Sequence, residues 1–176
     1  EHELAVADRL SADKIRVWAG EQGYGDQEPA NWERIVDDLN QIATRAGTVG
    51  VDVTIEKHAN TVTDDPRGAR RLVEAVNGEN VGLNWQPGFW LPSDTLVEEA
   101  AELAPLSNNV HVQAVPDQGS RDRCALSDAY FSLKQLLEPF DDGSFDGYVN
   151  VEFVNPTVEY QTAIADDLAY LRSITS

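Results

Sequence analysis

Four stretches rich in β-branched residues each deliver a metal-competent or hydrogen-bonding side chain. VDVTIE ends in Glu56, with His58 two residues on; NVGLNWQ ends in Gln86; NVHVQAV carries His111; GYVNVEF carries Glu152. A carboxylate flanked by Val151 and Phe153 is costly to bury unless a cation, a proton or a hydrogen-bond partner meets it. His111, between Val110 and Val112, reads either as a ligand or as a hydrogen-bonded core histidine. Asn84 and Gln86 fall two apart, so in a strand they share one side, where a buried sheet normally keeps Val, Ile or Leu. Two glutamates, one imidazole and one amide oxygen brought to one place would suit Mn²⁺, Co²⁺ or Mg²⁺ more than zinc.

Those side chains need a frame that aims them the same way. Adding KIRVWAG (14–20) gives five strand-like segments, at 14–20, 51–56, 80–86, 109–115 and 147–153, each followed by a helix-like run. Alternation of that kind predicts an α/β fold, a parallel sheet with helices packed outside it. In such sheets functional groups collect at the C-terminal strand ends and in the loops beyond.

The helices announce themselves. In ANWERIVDDLNQIATRAG, apolar residues from Trp32 through Ala46 recur at helical spacing and Gly47 stops the run. Asp65 and Pro66 open a helix that Gly78 closes, Asn155 and Pro156 repeat that start for the last helix, and Ser93 and Ser127 begin two more. LAVADRL (4–10) reads as the tail of an earlier helix. Residues 116–126 form the longest polar loop, a candidate active-site loop. With no internal repeat, low-complexity tract or linker, residues 1–176 read as a single domain.

Charge narrows the partners. Acidic residues number 31 against 13 basic, for a net charge of −18. Ten of the basic residues are Arg and only Lys14, Lys57 and Lys134 are Lys. Sparse lysine in a dense carboxylate surface resembles proteins of salt-loving microbes; an ordinary acidic cytoplasmic protein is the other reading. A field of this sign repels phosphate backbones and anionic lipid, so neither nucleic acid nor a membrane is an expected partner. No apolar run is long enough to span a bilayer and no leader can be read. Cys124 is the lone cysteine, which suits a reducing, cytoplasmic interior.

The phrases IRVWAG, IEKHANTVTD, VGLNWQP, VHVQ and VEFVNPTVEYQTAIADDLAYLR, in this order and spacing, resemble a sugar phosphate isomerase/epimerase of the xylose-isomerase-like TIM barrel superfamily. The resemblance implies a TIM-barrel-like fold with parallel strands, incomplete and partial at the N-terminus, with about five βα units readable instead of eight. It implies metal ligation through Glu56, Gln86, His111 and Glu152, Gln86 standing where most of the family has Asp. A subset reading WQP shares that change. Glu56 and Glu152 would transfer the proton, and His58, Asn84, Trp18 and Arg123 would line the sugar pocket, with Asn84 and Gln86 pointing into the barrel mouth.

Two departures from the family bear on function. Gln for Asp removes a formal charge, so the divalent metal is expected to bind weakly or not at all. Phe89 occupies the place of the family's substrate-contacting His. The leading expectation is therefore an isomerase or epimerase acting on a sugar or sugar phosphate. The alternative is a catalytically degenerate barrel that binds carbohydrate or protein. Too few strands to close a barrel points to a longer chain or to pairing, a homo-oligomer among the options. Trp18, Trp85, Phe89 and Trp90 read as sugar-stacking rings or as core. An endonuclease branch sharing the fold relies on a histidine-rich zinc cluster, and three His with this net charge argue against it.

Overall fold

The computed structural model describes residues 2–141, 143 and 145–175. Helix α1 (His2–Leu10) precedes strand β1 (Lys14–Val17), α2 (Pro29–Gly47), β2 (Asp52–Glu56), α3 (Pro66–Ala75), β3 (Val81–Trp85), α4 (Ser93–Leu103), β4 (Ser107–Val112), α5 (Leu133–Leu137), β5 (Tyr148–Val151) and α6 (Tyr160–Ile174). The five strands form one parallel sheet in chain order, β1-β2-β3-β4-β5, TIM-barrel-like and incomplete. Among the described residues no helix is long and apolar enough to cross a membrane.

The chain divides into two compact units, Glu1–Asn84 with Leu106–Asn109, and Trp85–Pro105 with Val110–Ser176. In the first, β1 pairs with β2 in the register Arg16↔Thr54 and Val17↔Ile55, and β2 with β3 in the register Ile55↔Leu83 and Glu56↔Asn84. Because side chains alternate, Val53, Ile55 and Leu83 take one face, where each is 0 % exposed. Thr54, Glu56 and Asn84 take the other. Helix α2 lays Ile35, Leu39, Ala43 and Ala46 inward, a stripe at three- and four-residue steps. Ala7, Ala46, Val51 and Val53 form a core cluster joined by Leu4, Ile15 and Val17.

Asp65 and Pro66 start α3 as the sequence predicts: the Asp65 carboxylate accepts from Arg67 N at 2.8 Å and Pro66 fills the first turn. The Arg67 guanidinium, hydrogen-bonded to Asp65, holds that carboxyl below its ordinary range. The helix ends at Ala75, three residues short of Gly78. Gly68 fixes its approach: a Cβ there would land on the Val62 carbonyl oxygen and on the Tyr24 ring. Gly68→Ala is accordingly expected to cost about 3 kcal/mol, roughly 6–12 °C in Tm for a chain of this size, read by thermal denaturation.

In the second unit two helix starts differ from expectation. Ser127 lies in a single 3₁₀ turn, Leu126–Asp128, and α5 begins six residues later, where Ser132 Oγ caps Gln135 N. Asn155 closes a local turn by accepting from Thr157 N and Oγ1, so the cap of α6 is Glu159, which accepts from Thr162 N at 3.0 Å. Trp85 packs in this unit against Phe140, ring centroids 5.5 Å apart.

Helix α6 also ties down the polar loop. Asp167, 2 % exposed, accepts from Leu126 N at 2.8 Å through Oδ1, while its Oδ2 is buried with no partner among the described residues. Burial pushes this carboxyl above its ordinary range, with Asp166 and Asp128 adding to the rise and the Leu126 N–H opposing it. A raised folded-state value means that this group's contribution is full below about pH 4 and is lost as pH climbs through the folded value. Asp167→Asn keeps the acceptor for Leu126 and removes the buried charge. Its Tm is expected to exceed the parent's by roughly 2–4 °C at pH 7, the gap closing toward pH 4 in a pH series of melts.

Candidate functional site

The site residues fall into two groups, one in each unit. The first stands at the ends of β1 and β2. Continuing the β1–β2 register past Val17↔Ile55 sets Trp18 opposite Glu56. Glu56 is 1 % exposed. Its Oε2 accepts from Arg16 Nη1 at 2.5 Å and from the Trp18 indole N–H. The Trp18 ring, 55 % exposed, stacks on His58 with centroids 4.7 Å apart and planes 27° from parallel. His58 is turned by a 2.8 Å contact between Nδ1 and the Ala59 carbonyl. Three expected residues, Trp18, Glu56 and His58, are thus linked in a chain, with Arg16 bonded to the Glu56 end.

Asn84 lies beside Glu56 on the same side of the sheet. It is 0 % exposed, and its Oδ1 accepts from Asn109 Nδ2 at 2.8 Å, a buried amide pair.

The second group is organised by Gln113. Its amide Nε2 donates to Gln86 Oε1 at 2.9 Å and to Glu152 Oε2 at 2.8 Å. The other Glu152 oxygen faces His111 Nδ1 at 3.6 Å. Glu152 N bonds the Val112 carbonyl at 3.0 Å, which fixes the residue at the tip of β4. Its side chain is 21 % exposed and that of His111 16 %, so the carboxylate is half-buried and hydrogen-bonded, not sealed in an apolar core. Gln86, His111 and Glu152 are brought together. The Arg123 guanidinium carbon is 5.1 Å from the centroids of both Phe89 and Phe153, a cation–π arrangement. Phe89 in turn stacks on Phe131 at 6.3 Å.

A divalent ion fits the chemistry of these donors. His111 and Glu152 present a nitrogen and an oxygen 3.6 Å apart, close to the separation of two atoms that each sit about 2.1–2.2 Å from one ion. Gln113 fixes the second carboxylate oxygen and the Gln86 amide, as outer partners of ligands commonly do.

Arg16, Gln113 and Asn109 were not singled out by the sequence reading. The signal was the period of two: Arg16 with Trp18, and Asn109 and Gln113 flanking His111, repeat the alternation that exposed Asn84 and Gln86. Burial pushes the Cys124 thiol up, away from reactivity.

Parallel strands in chain order, helices between them and polar side chains gathered at the strand tips define a (β/α)-barrel domain of the TIM type. The chain belongs to the xylose isomerase-like TIM barrel family, whose model matches residues 1–174. A comparison with curated proteins finds no match. Among solved structures the chain is similar to the probable 3-DHS dehydratase AsbF of Bacillus anthracis, with TM-score 0.82, 17% identity, 97% of this chain and 67% of that one covered. It is similar to a xylose isomerase-like TIM barrel protein of Mycobacterium smegmatis in complex with magnesium, with TM-score 0.75, 17% identity, 98% of this chain and 64% of that one. A third is the 3-keto-D-glucoside 4-epimerase YcjR of E. coli, with TM-score 0.73, 19% identity, 97% and 67%. The chain therefore spans about two thirds of the length of these structures.

Proposed function

We propose that this chain is an isomerase or epimerase domain acting on a sugar or sugar phosphate, with Glu56 and Glu152 as the proton-transferring pair. Glu56, Gln86, His111 and Glu152 form the ligand set for Mn²⁺, Co²⁺ or Mg²⁺. The observation that carries the reading is the clustering of Gln86, His111 and Glu152 around Gln113. Family membership and the succession of β2, β3, β4 and β5 in the sheet support adding Glu56. The epimerase and the magnesium-bound protein among the similar structures point the same way.

One glutamate removes the proton from the carbon beside a carbonyl. The same or the opposite acid returns it, to the neighbouring carbon in an isomerisation or to the other face in an epimerisation. Glu152 suits the base because Gln113 holds one oxygen and leaves the oxygen facing His111 as the proton-accepting edge. Glu56 is oriented by Arg16 and Trp18. The half-exposed Trp18 face, braced by His58, offers a platform for the C–H side of a sugar ring, and Arg123 meets a hydroxyl or a phosphate. A bound divalent ion supplies positive charge beside the oxygen that becomes negative as the proton leaves.

The second reading, a barrel that binds carbohydrate without turning it over, is favoured by Gln86, an uncharged ligand, and by Phe89, whose ring is committed to stacking on Phe131. Deuterium uptake from D₂O into a panel of aldoses, ketoses and their phosphates, followed by NMR with each metal, separates the two. Exchange at a carbon next to the carbonyl is the expected result. Thermal stabilisation by a sugar with no exchange in any metal would establish the binding reading instead.

A further inference from the structure

Glu56 already has a cation. Its carboxylate side chain is 2 % exposed, while the Arg16 side chain that reaches it is 46 % exposed. The 2.5 Å approach of Arg16 Nη1 to Oε2 is a charge-assisted hydrogen bond, among the stronger kinds a protein makes. Trp18 donates to the same oxygen, so two donors from one end of β1, two residues apart on one side of the chain, converge on Oε2. Lys14, the other cation of β1, is turned to Asp52 at 3.5 Å.

We propose that Arg16 is a positioning residue: a fixed cation, built into the first strand, that compensates Glu56 and competes with a divalent ion for its Oε2. The inference rests on the reading of Glu56 as a ligand. An ion nearing Glu56 meets a guanidinium of like charge, which it must displace, or it must settle for the other oxygen. The guanidinium is carried by the strand itself and hydrogen-bonded to Glu56, so the competition is built into the fold. The amide at Gln86 acts in the same direction, removing negative charge while Arg16 adds positive charge. The site thus keeps its shape without an ion and binds one weakly.

Mn²⁺ titration of the whole chain by calorimetry, together with melts with and without Mn²⁺, tests this. Arg16→Gln is expected to bind Mn²⁺ about tenfold more tightly than the parent. It should melt lower without the ion, because a buried acid loses its partner, and recover with it. Arg16→Lys, whose flexible ammonium can swing into water, is expected to gain about threefold and carries the test if the Gln variant fails to fold. Binding by a folded variant that is equal to or weaker than the parent's overturns the role of Arg16 while leaving Glu56 as a ligand. Absence of Mn²⁺ uptake in parent and variants alike overturns the ligand set itself.

Discussion

Glu152→Gln should lower deuterium exchange into a responsive sugar by about a thousandfold, within the span that a positioned acid–base group contributes, and should leave Mn²⁺ affinity at least tenfold weaker. The substitution keeps shape: a glutamine oxygen can still accept from Gln113, which now donates to Glu152 Oε2 at 2.8 Å. It removes the charge that faces His111 Nδ1 across 3.6 Å and the lone pair that takes the proton. Because the parent carboxylate is only half-buried, no deep core is opened, and a Tm within about 2 °C of the parent is expected. NMR exchange, calorimetry and a melt on one preparation read the three quantities. A fall in exchange that merely follows a fall in folded protein would remove Glu152 from the chemistry.

The features that sequence disclosed best were those set by alternation. Runs rich in β-branched residues placed β2 and β3 within a residue or two, and a period of two marked Asn84 and Gln86 as sharing one side of the strand. What it left hidden was which residue across the sheet answers each. Glu56 is met by Arg16 and Trp18, and Asn84 by Asn109, pairings set by strand register, which no local signal states. Depth was equally hidden: Asn84 and Gln86 share a side, yet one is 0 % and the other 8 % exposed, and the deeper amide pairs with Asn109 while the shallower pairs with Gln113.

Helix starts failed where two caps competed. Ser127 and Ser132 both precede apolar residues, and the 3₁₀ turn at Leu126–Asp128, whose Leu126 N–H goes to Asp167, uses up the first. At the last helix Asn155 spends its side chain on Thr157, and Glu159 takes the cap. Each cap was chosen by a contact with a neighbouring segment or turn.

Trp18 and Trp85 were both open to two readings, sugar platform or core, and they differ in burial. Trp18 is 55 % exposed, whereas Trp85 is 0 % exposed and packs on Phe140, because it alternates with Asn84 and Gln86 and so takes the apolar side. Trp85→Ala is therefore expected to be the most destabilising single change considered, about 3–5 kcal/mol, from lost burial plus the cavity left behind. For a chain of this length that is roughly 6–20 °C in Tm. The indole Nε1 has no hydrogen-bond partner among the described residues, so Trp85→Phe forfeits only volume and should cost about 1–2 kcal/mol. Calorimetric or circular-dichroism melts of the two variants measure both numbers. Exchange per folded molecule at low temperature should stay within about twofold of the parent in Trp85→Phe, since the ring alternates with Gln86 and so points away from that residue's side of the strand. An equal loss of stability in Trp85→Ala and Trp85→Phe would mean that the indole N–H, not the ring's bulk, holds the residue in place.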